Sequence, residues 1–180
     1  MTIHTEHPFL DPERDPVRQL RGRLGGAVTL WTSGGGTSGG GTSGGGPLDR
    51  AGLSVTSVVV ANGDPARLLA LLDPDSDLVE QLTSTGLAVV TVLTWEDRGL
   101  ADAFGGTAPA PGGAFRQAEF VATAWGPRLA SAATWAGVRL ETRTEVGWSS
   151  LVTCVVEELV VGDDEPLVHR RGRYQRPAGE

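Results

Sequence analysis

The amino-acid sequence predicts a mainly β protein, built as a closed antiparallel barrel with a few short helices packed outside it. Along residues 136–146, apolar side chains and threonines alternate with charged ones, the period of a half-buried antiparallel strand. About six or seven strand patterns occur along the chain, beside two or three short helical ones. Because the strands do not alternate with long helices, a doubly wound parallel sheet is not expected.

The first elements are a helix and two strands. Asp15-Pro16 supplies an N-cap carboxylate and a first-turn proline, and Gly25-Gly26 can end the helix. The β-branched, apolar residues 27–32 predict one strand, and residues 53–61 predict the next. Residues 62–65 read Asn-Gly-Asp-Pro, which is turn chemistry.

The later elements follow from the same rules. The short apolar run 66–73 favours a strand, and Ser76 or Asp77 can cap a helix over 77–85 that Gly86 stops. We then expect a buried strand at 87–94, a helix within 96–106, a loop at 107–113, a hairpin of strands 136–146 and 148–162, and a last short strand at 166–174. The turn of that hairpin, near Gly147, does not match a clean two-residue type.

Composition excludes several classes of function. The 180 residues suit one domain, and a net charge of −7 argues against binding to nucleic acid or to an anionic membrane. The single cysteine, Cys154, lies in an apolar run, which favours a buried strand residue over a disulfide, a nucleophile or a zinc ligand. The sequence contains neither a transmembrane-length apolar stretch nor a signal-peptide pattern, so a cytoplasmic protein is expected.

Residues 32–46 repeat the word TSGGG three times. A phosphate-binding P-loop needs a lysine and a following helix, but here Pro47-Leu48-Asp49-Arg50 and a strand follow. Ordering such glycines around a ligand is costly, so the tract predicts a flexible loop insertion. The hydroxyls of GLSVTS (52–57) and of Ser76 at a helix N-terminus suit a phosphate better, although the neighbouring aspartates oppose it.

The order of these motifs resembles the flavin reductase-like, FMN-binding split-barrel family. The matching pieces are GLSVTS, LLALLD, DPDSDL, STGLAVVTVL, LADAFGG, WGPRLASAATWAGVRLE and PLVHRRGRY, which together span about residues 15–174. The resemblance implies a split β-barrel that binds FMN, or FAD as the alternative flavin, and takes a hydride from NAD(P)H. It also implies a homodimer and a partner monooxygenase that receives the reduced flavin.

The resemblance also implies where the flavin lies. Residues Ser54, Val55, Thr56 and Ser57 would give backbone and hydroxyl contacts to its ring and phosphate. Asp73 and Ser76 would lie at the turn that meets the phosphate, Trp95 and Arg98 near the rim, and Trp31 and Thr32 at the end of a strand facing the pocket. An apolar slot with a few N–H donors near N1 and O2 suits a flavin ring. The cofactor carries the redox chemistry, so no catalytic residue is assigned.

Two positions depart from the family pattern. Many members carry Gly-Asp-His where this chain reads TEVGWSS (144–150), so Gly147 and Trp148 stand near the place of that histidine. Trp148 either stacks on a ring or fills the core, and reductase activity depends on whether that histidine is needed. The turn DPDSD, residues 73–77, is also more acidic than phosphate sites usually are.

The remaining candidate site residues are three histidines, a cluster of arginines and a pair of glutamates. His169 lies among Arg170, Arg171 and Arg173, which form either a solvated strand end or a rim that attracts phosphates. His4 and His7 are expected to be solvated in the arm. Of Glu157 and Glu158, one should be exposed and the other paired with an arginine of the neighbouring strand.

The expected organisation is an N-terminal arm (1–14), a split-barrel domain (15–174) carrying the glycine-rich loop (32–46), and a disordered tail (175–180). The expected function is flavin reduction by NAD(P)H. The alternatives are a split barrel that uses a deazaflavin or haem, and a non-enzymatic flavin-binding or structural dimer.

Overall fold

The computed structural model describes residues 16–35 and 49–176, which form a mainly β structure with few helices. The helices are α1 (Pro16–Leu24), α2 (Asp77–Thr85) and α3 (Arg98–Phe104), with 3-10 turns at Trp95–Asp97 and Ala114–Arg116. The strands are β1 (Gly26–Ala27), β2 (Thr29–Gly34), β3 (Arg50–Val55), β4 (Val58–Ala61), β5 (Arg67–Leu72), β6 (Leu87–Val92), β7 (Phe120–Thr123), β8 (Gly126–Leu129), β9 (Trp135–Val146), β10 (Ser149–Val160), β11 (Val168–Arg170) and β12 (Arg173–Gln175).

Seven antiparallel strands form the main sheet, in the order β3-β2-β6-β9-β10-β5-β4. The sheet curls strongly into a half-barrel, but its hydrogen-bonded ladder is open between β3 and β4. The predicted closed barrel is therefore not confirmed. The two edge strands are consecutive in the chain, so Thr56 and Ser57 join the two open edges covalently.

Two apolar clusters lie on opposite faces of the sheet. The cluster inside the curl includes Trp31, Leu72, Leu82 and Val138, and the outer cluster includes Leu30, Leu93, Phe104 and Leu167. Neighbouring residues of β2 thus enter different clusters, because side chains alternate across a strand. This explains why all six residues of β2 are buried.

Helix α2 confirms the end signals in the sequence. Ser76 is the N-cap and its Oγ accepts a hydrogen bond from the Val79 N–H, while Gly86 ends the helix with φ +72°. The buried residues Leu78, Val79 and Leu82 face the inner cluster. Of the two predicted caps, the structure uses Ser76.

The segment predicted as one strand over 53–61 is broken at Thr56 and Ser57. Its first half, β3, pairs with β2, whereas its second half, β4, pairs with β5. A strand that changes partners must bend, and we call this bend, residues 54–57, the β3–β4 corner. The difference matters for function because the corner contains the predicted flavin contacts.

Strands β9 and β10 form the predicted hairpin, but its turn corrects the prediction. Val146 pairs with Ser149, so the loop consists of Gly147 and Trp148 alone. Gly147 has φ +58°, as the first position of a type II′ turn requires. Trp148 at this tip is 81% exposed, so its interpretation as a core residue is wrong.

The last predicted strand is in fact a hairpin of β11 and β12, which joins β1 in a three-stranded sheet. Arg170 pairs with Arg173, and the loop between them is Arg171 and Gly172. The tail predicted from residue 175 begins inside this hairpin, since Gln175 ends β12.

Several predictions lie outside the described residues: the arm with His4 and His7, most of the glycine-rich loop (36–48), and the tail beyond Arg176. The first residues of that loop segment, Thr32 to Gly34, belong to β2. Among the described residues, none of the helices has the length and apolarity needed to cross a membrane.

Candidate functional site

The β3–β4 corner presents hydrogen-bond donors on half-buried backbone. The hydroxyl of Ser54 donates to the Ala101 carbonyl of α3 at 2.7 Å, and that of Ser57 donates to the Leu71 carbonyl of β5 at 2.7 Å. Thr56 lies between these two anchored residues. Within the described ranges, neither the N–H nor the hydroxyl of Thr56 and no N–H of Ser57 makes a hydrogen bond. These donors are free to meet ring carbonyls or phosphate oxygens.

Two contacts fix the corner from behind. A Cβ on Gly26 would lie 2.6 Å from the Thr56 carbonyl oxygen, so only glycine fits there. The Val55 carbonyl accepts a 2.8 Å hydrogen bond from Thr29 Oγ1, which in turn accepts one of 3.1 Å from Trp31 Nε1. These contacts restrict how far the backbone of the corner can move toward β1 and β2.

Trp31 and Thr32 lie beneath the surface rather than in an open pocket. Trp31 is fully buried in the inner cluster, and Thr32 is 1% exposed with its hydroxyl donating to the Pro127 carbonyl at 2.5 Å. Their side chains support the corner and β8 from inside. The buried side chain of Val55 does the same.

The turn from Asp73 to Ser76 follows β5 directly, two residues after the Leu71 that Ser57 contacts. The Ser76 hydroxyl donates to the Asp73 carbonyl at 2.7 Å and also caps α2. Asp73 Oδ1 accepts a hydrogen bond from the Asp75 N–H at 3.0 Å. A phosphate at this turn would meet the Ser76 hydroxyl, which already makes two hydrogen bonds, and the exposed carboxylates of the neighbouring aspartates.

Trp95 and Arg98 form a stacked pair at the start of α3. The Arg98 guanidinium lies 3.9 Å from the centroid of the Trp95 ring and donates to the Trp95 carbonyl. Asp97 Oδ2 accepts hydrogen bonds from the Thr94 N–H at 2.8 Å and the Thr94 hydroxyl at 2.9 Å, which fixes this turn. Since α3 also receives the Ser54 hydroxyl, the pair and the corner share one supporting helix.

A cavity of about 200 Å³ lies beside the turn formed by Thr94, Glu96 and Asp97, and the sequence analysis did not predict it. Its lining residues come from three separate segments: Val92, Thr94, Glu96, Asp97, Ser131, Ala132, Ala133 and Asp164. Asp164 Oδ1 accepts a 2.5 Å hydrogen bond from Thr134, while Oδ2 is buried without a partner in the described part of the chain. No local pattern links these segments, so no sequence signal could have found the cavity.

A second, wider groove of about 450 Å³ lies on the β11–β12 hairpin and is lined by Arg170, Arg171, Arg173 and Gln175. His169 lies on the other face of the hairpin, where its ring meets that of Tyr174 edge-on at 5.5 Å. The predicted basic surface therefore consists of arginines, with the histidine directed away from it.

The pKa shifts of Cys154 and Glu157 have structural causes. Burial raises the pKa of the Cys154 thiol to about 12, as expected for an inert strand residue. Trp125 and Arg139 lower the pKa of Glu157 by donating hydrogen bonds at 2.9 and 2.6 Å, which confirms its predicted pairing, while Glu158 is exposed. No group of three potential metal ligands occurs in residues 16–35 and 49–176.

Comparisons with known proteins agree on one family. Residues 21–178 match the model of the flavin reductase like domain. A protein of Methylorubrum extorquens (strain PA1) described as FMN reductase (NADH) RutF 2 is 32% identical over 177 residues, covering 92% of both chains.

Solved structures match at lower identity, which supports the fold alone. The Streptomyces globisporus C-1027 NADH:FAD oxidoreductase SgcE6 has a TM-score of 0.77 at 21% identity, over 94% of this chain and 96% of that one. The styrene monooxygenase flavin reductase (SMOB) of Pseudomonas putida S12 has a TM-score of 0.72 at 21% identity, over 91% of this chain and 99% of the other.

Proposed function

The chain belongs to the flavin reductase-like domain family, and from that premise we propose that it is an FMN reductase that uses NADH. The observation that carries the proposal is the β3–β4 corner, where the N–H groups of Thr56 and Ser57 have no hydrogen-bond partner among the described residues. A bound flavin would supply the hydride-accepting chemistry. The residues of the chain need only bind it, orient it and exclude water.

Each predicted contact has a proposed role. Thr56 and Ser57 donate N–H groups to the ring or the phosphate, and Ser54 ties the corner to α3. Trp95 and Arg98 flank the rim, and the stacked guanidinium provides a positive charge beside an anionic ligand. The buried side chains of Trp31, Thr32 and Val55 support the corner and do not contact the flavin. Asp73 and Ser76 contact the flavin only if the hydrogen bonds that cap α2 rearrange.

The proposal includes a homodimer, because large apolar side chains remain exposed on the main sheet. Val59 and Val60 on the edge strand β4 are 62% and 65% exposed, and Trp148 at the tip of the β9–β10 hairpin is 81% exposed. A second copy of this chain would cover such side chains. Trp148 could then stack on a ring held by the partner.

The proposed recipient of the reduced flavin is a partner monooxygenase, and the proposed compartment is the cytoplasm. The first is proposed by analogy with the styrene monooxygenase flavin reductase, which has the same fold and whose name pairs it with a monooxygenase. The single free and buried cysteine suits a reducing compartment.

A non-enzymatic flavin-binding dimer is the second candidate, favoured by Gly147 and Trp148 standing near the place where many members carry Gly-Asp-His. NADH oxidation, measured with and without added FMN, separates the two. Acceleration by FMN supports the reductase. A melting shift with FMN but no NADH oxidation would support the binding protein.

A matched pair of variants tests the corner itself. Thr56→Val removes a free hydroxyl without changing shape, and we expect it to weaken FMN binding about tenfold. Thr142→Val, on the exposed half of β9, is the control and should leave binding unchanged. Equal affinities for the two variants would show that the flavin does not use the Thr56 hydroxyl and would leave only the backbone N–H groups, which Gly26→Ala tests by displacing the corner.

A further inference from the structure

The β11–β12 hairpin concentrates positive charge in an acidic protein. The chain has a net charge of −7, yet Arg170, Arg171 and Arg173 line one open groove of about 450 Å³ together with Gln175. All three arginines are exposed. We call this surface the arginine groove.

In the part of the chain that the structure describes, these three arginines differ from most others because no carboxylate or aromatic ring pairs with them. Arg67 and Arg139 form ion pairs with Glu141 and Glu157, each at 2.6 Å. Other arginines lie over aromatic rings, as Arg50 over Phe115, Arg98 over Trp95 and Arg128 over Trp135. Within residues 16–35 and 49–176, no carboxylate or ring contacts the guanidinium of any arginine in the groove. Their charges are available to an external anion.

The hairpin also places arginine where local structure disfavours it. Arg171 has φ +53° and Gly172 has φ +74°, the two left-handed positions of a type I′ turn, where asparagine and glycine are preferred. Arg170 and Arg173 face each other across the strands, and like charges in that arrangement repel. Positions that break local rules in this way are typical of functional sites.

The hairpin that carries the groove lies next to the β3–β4 corner through β1. Gly26 of β1 pairs with His169, and a Cβ on Gly26 would lie 2.6 Å from the Thr56 carbonyl oxygen. A Cβ on Gly25 would lie 3.3 Å from the Arg170 Cβ.

The Tyr174 hydroxyl donates to Asp102 of α3 at 2.6 Å, and the Arg176 guanidinium lies 5.7 Å from the Trp95 ring centroid. The Arg171 N–H donates to the Gly22 carbonyl of α1 at 2.9 Å, which fixes the turn on its other side. The face of the hairpin that carries Tyr174 thus packs on α3, while the arginines lie on its opposite face and approach the corner through Arg170 and β1.

We infer that the arginine groove is a phosphate subsite that receives the pyrophosphate of a dinucleotide whose reactive ring lies at the β3–β4 corner. The inference rests on the proposed function. Guanidinium groups pair with phosphate oxygens in a two-pronged geometry, and three of them match a group with several anionic oxygens. The dinucleotide is NADH or FAD, since both carry a pyrophosphate linked to adenosine.

Three variants test the groove. Arg170→Gln with Arg173→Gln removes the facing charges. Arg171→Asn removes the turn charge while supplying a residue that prefers the left-handed conformation, so its melting temperature should be unchanged or higher. Arg116→Gln is the control, because Arg116 is exposed and without an ion pair in the described residues but lies outside the groove.

Steady-state kinetics with FMN as acceptor distinguish the sources of the phosphate. For NADH, we expect the groove variants to raise KM about tenfold with kcat unchanged. Reduced nicotinamide mononucleotide lacks the pyrophosphate, and its KM should not change. If instead FAD occupies the groove, the variants weaken FAD binding and spare FMN, with no change for NADH. The inference would be overturned if the groove variants changed KM equally for NADH and reduced nicotinamide mononucleotide and also changed the affinities for FMN and FAD equally. It would also be overturned if Arg116→Gln changed these quantities as much as the groove variants do.

A calorimetric titration separates failure of the subsite from failure of the proposed function. ADP should bind the unaltered protein more tightly than AMP, and the groove variants should abolish that difference while Arg116→Gln retains it. If NADH is not oxidised but this pattern holds, the subsite stands and the reductase proposal fails. If ADP and AMP bind alike, the subsite fails whatever the activity.

Discussion

The Tyr174 hydroxyl of β12 donates a 2.6 Å hydrogen bond to Oδ1 of Asp102 on α3. This bond joins the small C-terminal sheet to the helix that also holds the Ser54 hydroxyl. We expect Tyr174→Phe to lower the free energy of unfolding by about 1–2 kcal/mol, since it removes one hydrogen bond to a carboxylate and keeps the ring. Urea unfolding measures the change. An unaltered midpoint would mean that the hairpin docks through its apolar contacts alone.

Gly26→Ala should displace the corner. The new Cβ would meet the Thr56 carbonyl oxygen at 2.6 Å, and backbone on both sides leaves little room to relax. We expect FMN affinity to fall about tenfold or more, with a destabilisation of about 1–3 kcal/mol. Gly99→Ala is the control, because nothing lies within 4 Å of a Cβ at that helix position. Fluorescence titration of FMN against both variants decides the matter.

Trp148→Ser should affect assembly and not folding of the single chain. The side chain is 81% exposed at the tip of the β9–β10 hairpin, so its removal costs the isolated chain little. Analytical ultracentrifugation should show weaker self-association. A variant that is monomeric and unfolded, or dimeric with unaltered affinity, would contradict the assignment of this tip to an interface.

Cys154 gives a pH dependence of stability in the alkaline range. Burial raises the pKa of its thiol from an ordinary value of 9.0 to about 12 in the folded state. The unfolded chain therefore loses the thiol proton at a lower pH than the folded one. The free energy of unfolding keeps its full value below pH 9 and falls as the pH rises towards 12, by at most about 1.4 kcal/mol per pH unit.

The Cys154→Ala variant should flatten this part of the stability curve. Tyr174, whose pKa is also raised by burial and by Asp102, acts in the same direction and supplies the remaining slope. Urea midpoints for both proteins between pH 8 and pH 11 measure the difference. Parallel curves would show that the thiol does not titrate as described.

Local signals in the sequence predicted the elements that are defined locally. Ser76 and Gly86 fix the ends of α2 because capping depends on a few neighbouring residues. The alternation along residues 136–146 predicted β9 in the same way, although its outer half is exposed on both faces. The pairing of Glu157 with Arg139 also followed from strand alternation.

Features that depend on tertiary contacts were missed. The break at Thr56 and Ser57 reflects a change of pairing partner, which strand propensity does not encode. The burial of Trp31 follows from the sheet having apolar clusters on both faces. The cavity around Asp164 joins residues about thirty and seventy positions apart, so no spacing rule could reveal it.

Strand β2 contributes Leu30 to one apolar cluster and Trp31 to the other. Displacement of β2 would remove a fully buried side chain from each cluster at once. The two faces of the sheet are therefore bound to one cooperative unfolding event rather than two. The amides of β2 should be among the slowest to exchange with deuterium, at rates set by global opening of the molecule.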